Sequence, residues 1–246
     1  MKRLLCILVA VMMCGMVFPP VGAYATAFSV YGTDMTIDVD DSQWYVFTRD
    51  NIKDNPELEE LGISEEYMED VFQENHAYMD AVLFFEDGDF LELFIKKKSV
   101  DTGLANMSNY DDDEILEMAK DLAEEHGIKT YDLFKSRYKF IKLESYDRTY
   151  GYYLCEFFTV VNKDGYTLTF QSAAPFTDER YEEIEAMIRS IRFDVDESLK
   201  EPIRVTDIVM PTTIGGAVVG GLLGGGIALR NKKKKEAKNT DETTPV

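Results

Sequence analysis

The stretch from Tyr150 to Ser172 constrains the fold most tightly. Two strand-like runs, residues 150–161 and 165–172, flank the short segment Asn162-Lys163-Asp164-Gly165. Turn-forming residues between two β-prone runs make a hairpin, and a hairpin makes an antiparallel sheet. In "YTLTFQS" the alternation is strict. Tyr166, Leu168 and Phe170 fall on one side, and Thr167, Thr169 and Gln171 on the other. Side chains of a strand alternate between faces, so the first set is predicted to face a core.

The segments before this hairpin supply helices and further strands. "MTIDVDDSQWYVFTRD" reads as two short strands around the turn-prone Asp40-Asp41-Ser42. "SEEYMEDVFQENHAYM" reads as a helix: Ser64 is a good N-cap, acids fill the first turn, and Met68, Val71, Phe72, Asn75 and Met79 recur at helical spacing. "AVLFFEDGDFLELFI" reads as a hairpin closed at Asp87-Gly88, a pair that suits a type I′ turn. In "DDDEILEMAKDLAEEHG", Asp111 and Glu114 have capping-box spacing, Ile115, Ala119 and Leu122 share a face, and Gly127 supplies the stop. A strand is expected over 137–146. A last helix, "DERYEEIEAMIRSIRFD", carries the stripe Tyr181, Ile184, Ile188 and Ile191. Hairpins interleaved with helices predict an α+β domain over residues 26–197, an antiparallel sheet covered by helices.

This order resembles the PsbP-like fold over roughly residues 28–194. The local features that carry the resemblance are Trp44 just after the first strand and a final "MIRSIRF" following "YTLTFQS". The group includes photosynthetic extrinsic subunits, a Ran-binding nuclear import factor and exported bacterial domains without an assigned activity. The resemblance implies a non-enzymatic domain that works by binding or by assisting assembly.

The two ends predict an address. Residues 1–25 have the three parts of a secretion signal. Lys2 and Arg3 precede an apolar run from Leu4 to Phe18, and Ala23-Tyr24-Ala25 offers small residues for cleavage. Residues 208–229 carry no charge. As a helix this run would reach about 33 Å, enough for a hydrocarbon layer of ~30 Å. Arg230, Lys232, Lys233, Lys234 and Lys235 follow it as a stop-transfer cluster, which belongs on the cytoplasmic side. The expectation is a single-pass protein of a bacterial cell surface. Its domain lies outside, residues 198–207 form a juxtamembrane linker, 208–229 the span, and 230–246 an inner tail. Gly216, Gly220 and Gly224, with Gly221 and Gly225 one residue on, have the GxxxG spacing that lets two spans approach closely, as a homodimer or against another membrane protein.

Charge narrows the partners. Residues 26–200 carry 41 acidic and 17 basic side chains, and the chain as a whole has a net charge of −20. Such a domain repels phosphate backbones, which argues against nucleic acid. Removal of the signal takes Cys6 and Cys14 with it and leaves Cys155 in an apolar strand, with no partner for an internal disulfide.

The sequence nominates no catalytic, cofactor-binding or metal-ligating set and no cofactor. GxSxG, HExxH and P-loop patterns are absent. His76 is expected beside the apolar stripe of the first helix and His126 in the last turn of the second. The acidic runs 38–41 and 111–114 lack the ligand spacing of a calcium loop and are read as solvated surface. Trp44, Tyr45, Phe47, Tyr150, Tyr152 and Tyr153 are candidates for a ligand groove, or else for the core. The function expected is therefore a membrane-anchored extracytoplasmic binding or assembly module. A surface hydrolase using two carboxylates is the alternative from a different class, and a structural subunit of a membrane complex a third.

Overall fold

The computed structural model describes residues 25–100, 104–196, 198 and 199. The segments 1–24 and 200–246, which hold nearly all of the predicted signal and the whole predicted span, lie outside the described residues. So do Gly216, Gly220, Gly221, Gly224, Gly225, Arg230 and Lys232 to Lys235. Among the described residues no helix is long and apolar enough to cross a membrane.

The domain is α+β, and every strand pairing described is antiparallel. The strands are β1 (Thr26–Ser29), β2 (Met35–Val39), β3 (Tyr45–Thr48), β4 (Ala77–Phe84), β5 (Phe90–Ser99), β6 (Thr130–Lys135), β7 (Lys139–Asp147), β8 (Tyr152–Val161), β9 (Asp164–Ser172) and β10 (Arg192–Phe193). The helices are α1 (Pro56–Leu61), α2 (Glu65–Glu74), α3 (Asp112–His126) and α4 (Asp178–Ser190). Seven strands form one sheet in the order β3-β4-β5-β9-β8-β7-β6, and β1-β2-β10 form a second.

The two sheets and α4 enclose the main core. Tyr166, Leu168 and Phe170 point into it, as the alternation predicts, and meet Ile184 and Ile188 of α4 and Met35 and Ile37 of β2. Phe157 sits at its centre, with ring centroids 5.4 Å from Phe134 and 6.1 Å from Phe170. The other face of the large sheet carries two separate covers. The segment α1–α2 lies over Phe47, Val82, Phe90 and Phe94, and α3 lies over Ile141, Leu143, Phe158 and Val160.

Local signals act where the sequence places them. Ser64 Oγ accepts from the Tyr67 N–H at the start of α2. Asp111 and Glu114 close a reciprocal capping box on α3, and Gly127 ends that helix in the left-handed conformation at φ 66°.

Three expectations are corrected. Helix α2 ends at Glu74, so Met79 belongs to β4 rather than to the helical stripe, and it faces the opposite core. His76 lies in the left-handed link between the two elements, at φ 52°, and is exposed, not beside the stripe. The β4–β5 connection is not a type I′ turn. Only Gly88 has positive φ, the Gly88 N–H donates to the Phe85 carbonyl at 3.0 Å, and the Phe85 N–H to that of Asp89 at 2.9 Å. This is the longer loop with one left-handed glycine. The two-residue turn with both φ values positive occurs instead at Asn162-Lys163, between the paired Val161 and Asp164.

Candidate ligand-binding cleft

Two places concentrate polar chemistry. The first is an open cleft of about 720 Å³ at one end of the large sheet. The C-terminal end of α3 and the loop after it supply His126 and Lys129. The end of β7 and the turn beyond supply Glu144, Tyr146, Asp147 and Arg148, and β8 adds Tyr153 and Leu154. Phe176, from the β9–α4 loop, and Tyr181 of α4 complete the lining.

Its walls are aromatic. Tyr146, 49% exposed, leans on Tyr153 with ring centroids 4.8 Å apart and planes at 48°. Phe176 and Tyr181 pair at 5.5 Å. The Lys142 ammonium sits 4.5 Å from the centre of the Tyr181 ring and 2.9 Å from Glu144. Burial, and then the neighbouring Glu144, hold the Tyr181 hydroxyl well above its usual pKa, so it stays protonated and donates to that carboxylate. Asp147 is engaged by its own turn, where Oδ1 accepts from the Thr149 N–H at 2.7 Å and the Tyr150 N–H at 3.2 Å. Glu144 is therefore paired, and one oxygen of Asp147 is engaged by its own turn. His126 Nε2, by contrast, is buried without a hydrogen-bond partner.

The second place is a strip of polar side chains on the face of the large sheet that also bears α1–α2 and α3. Asp80 of β4 and Glu92 of β5 are fully buried diagonal neighbours, because Val82 pairs with Glu92 and Asp80 with Phe94. Gln171 Nε2 donates to Glu92 Oε2 at 2.5 Å, and Thr169 Oγ1 to Glu156 Oε1 at 3.2 Å. Both oxygens of Asp80 lack a partner. Burial, with the nearby Glu92 second, raises the Asp80 carboxyl well above the ordinary carboxylate range. Burial raises Glu156 as well, against the opposing pull of Thr169 and Lys96, and lowers the Lys96 ammonium. The Tyr67 and Tyr152 hydroxyls at the margin are raised by burial first and by Glu92 next. Asp80, Glu92 and Glu156 do not line the cleft.

The sequence candidates divide between these places and the core. Trp44 and Phe47 are core residues; Trp44 Nε1 donates to Glu183 at 3.1 Å. Tyr45 packs edge-on against Phe84 and Tyr152 against Phe90, both on the α1–α2 side. Tyr150 is exposed outside the cleft, and Tyr153 lines it. Cys155 is buried in β8, and burial pushes its thiol far up in pKa. The acidic runs are engaged within the fold. Asp38 pairs with Arg192, Asp40 accepts from Ser42 and Gln43, and Asp112 meets Lys135 at 2.8 Å and Lys139 at 2.9 Å. Among the described residues no group of three or more His, Cys, Asp or Glu side chains is placed to hold a metal ion.

Sequence reasoning did not single out Lys129, Arg148, Tyr146 or Phe176, which come together only when α3, β7 and the β9–α4 loop meet. It also missed the buried acids, although a signal existed. Asp80, Glu92 and Glu156 each interrupt an apolar strand, in "YMDAVLFF", "FLELFI" and "LCEFFTVV".

No protein-family model matches the chain, and comparison with curated proteins finds no match.

Proposed function

We propose that this chain is an exported, single-pass membrane protein whose PsbP-like outer domain, residues 26–197, is a non-catalytic binding or assembly module. In this reading residues 1–25 are the signal, 208–229 the span and 230–246 the inner tail, and the glycine-faced span contacts a second copy or another membrane protein. The acidic domain and the basic tail support that orientation.

One observation carries the binding role: the aromatic cleft, whose two carboxylates are already held by Lys142, Tyr181 and the turn at Asp147. An open site with rings on its walls and its acids engaged suits recognition better than proton transfer. The hydrolase alternative needs two carboxylates facing a substrate, and the buried neighbours Asp80 and Glu92 lie away from the cleft.

The test uses intact cells carrying the full chain with a tag after Val246. Added protease should remove the domain and spare the tagged tail. Envelope material chemically crosslinked to the wild-type domain should be lost from Tyr153→Ala, with circular dichroism of the variant checked against the wild type. Cleavage of the tag from outside would refute the orientation. Unchanged crosslinking by Tyr153→Ala would refute binding at the cleft.

A further inference from the structure

The charge balance of the cleft is unlike that of the domain around it. In residues 26–200 acids outnumber bases by more than two to one. At the cleft the balance shifts the other way, with Lys129, Arg148 and the Glu144-bound Lys142 against the two acids Glu144 and Asp147. Glu144 is held by Lys142 and Tyr181, and Asp147 by two backbone N–H groups. Lys129 and Arg148 are both exposed on the lining, and neither has a carboxylate partner among the described residues. Two cationic groups are thus open to an incoming acceptor in a protein that is otherwise strongly anionic. Such a patch gathers negative charge locally while the rest of the surface repels it, which adds selectivity.

The rest of the lining says what body the anion is attached to. Tyr146 and Tyr153 present tilted rings, and Phe176 and Tyr181 form a second pair. Flat ring faces with hydroxyls at their edges suit a partner with its own flat C–H face and peripheral hydroxyls. The cleft is open rather than a deep apolar hole, so it suits a sugar ring better than an inserted aliphatic side chain.

We propose that the cleft binds an acidic sugar: the ring lies against Tyr146 and Tyr153, and its anionic group meets Lys129 and Arg148. This rests on the binding role proposed above and names its ligand class.

The test is calorimetric titration of the full chain in detergent with tetragalacturonate, a neutral galacto-tetrasaccharide, and the acidic peptide acetyl-Glu-Tyr-Glu-Tyr. Galacturonate against galactose 6-phosphate separates a carboxylate from a phosphate source. Tetragalacturonate should bind and the neutral sugar bind at least about tenfold more weakly. Each exposed ion contact contributes roughly two- to fivefold, so Lys129→Gln with Arg148→Gln should weaken binding about tenfold, and added salt should do the same. Both substitutions are on the surface and should leave the circular dichroism unchanged. Equal binding of the neutral sugar, an unchanged affinity in the double variant, or binding of the peptide alone would each overturn the proposal. If no acidic sugar binds while Tyr153→Ala still abolishes crosslinking on cells, the ligand class is wrong and the binding role stands.

Discussion

The two faces of the seven-stranded sheet are built on different principles. One is a continuous apolar surface, from Val46 of β3 to Phe134 of β6, buried under α4 and the small sheet. The other is apolar only at its two ends, beneath α1–α2 and beneath α3. Between those ends lie Asp80, Glu92, Gln171, Thr169, Glu156 and Lys96. Most of these are fully buried; cross-strand hydrogen bonds join Gln171 to Glu92 and Thr169 to Glu156, while both oxygens of Asp80 have no partner. The first face is tuned by shape and volume. The second is tuned by protonation and by hydrogen-bond geometry, because a buried polar group without a partner costs free energy comparable to a lost hydrogen bond.

The largest effect should come from the apolar face. Phe157→Ala removes a fully buried ring that touches Phe134, Phe140 and Phe170, and should destabilise the domain by about 3–5 kcal/mol in denaturant unfolding. A loss below about 1 kcal/mol would mean that this face is not the organising core.

A smaller loss is expected on the polar strip. Thr169→Val preserves shape but removes the hydroxyl that serves Glu156, and should cost about 1–2 kcal/mol. Equal or greater stability of the valine variant would show that the strip behaves as a second apolar face.

The smallest change, and one of opposite sign, belongs to Asp80. Its carboxyl pKa is raised in the folded state, so the folded protein binds the proton more tightly than the unfolded chain. Stability is therefore full below the unfolded carboxyl pKa of about 3.9 and falls as pH rises towards the folded value. Asp80→Asn removes that dependence and should stabilise the domain at pH 7 by on the order of 1 kcal/mol. Thermal unfolding of both proteins across pH 4 to 8 measures this. Parallel pH profiles would place the titration elsewhere.

Legibility in the sequence followed the range of the interactions involved. Helix α3 was readable to the residue, because Asp111, Glu114 and Gly127 act within one turn of the helix ends. The inward set Tyr166, Leu168 and Phe170 was readable because the pleat of a strand fixes alternation locally. Strands β1 and β6 and helix α1 were not recognised. β1 is mostly exposed, β6 is an outer strand buried only around Phe134, and α1 is six residues long, so none shows enough apolar period. At Asn75-His76 a helical pattern runs directly into a strand, and Met79 continues the spacing by coincidence. Pairing with β5 and burial in the opposite core decide its state.

The turn types were exchanged for a related reason. Asp87-Gly88 has the better local chemistry for type I′, but the register of Phe84 with Phe90 leaves five residues to close, whereas Val161 with Asp164 leaves two. The sequence alone determined the class of the domain, its strongest caps and the inward face of β9, all through contacts within a few residues. Tertiary structure decided the register, the burial of Asp80 beside Glu92, and the meeting of His126, Lys129, Arg148 and the tyrosines in one cleft. Those residues come from the end of α3 and its loop, the β7–β8 hairpin and α4, and only the packing of α3 and α4 against the sheet places them around one cleft.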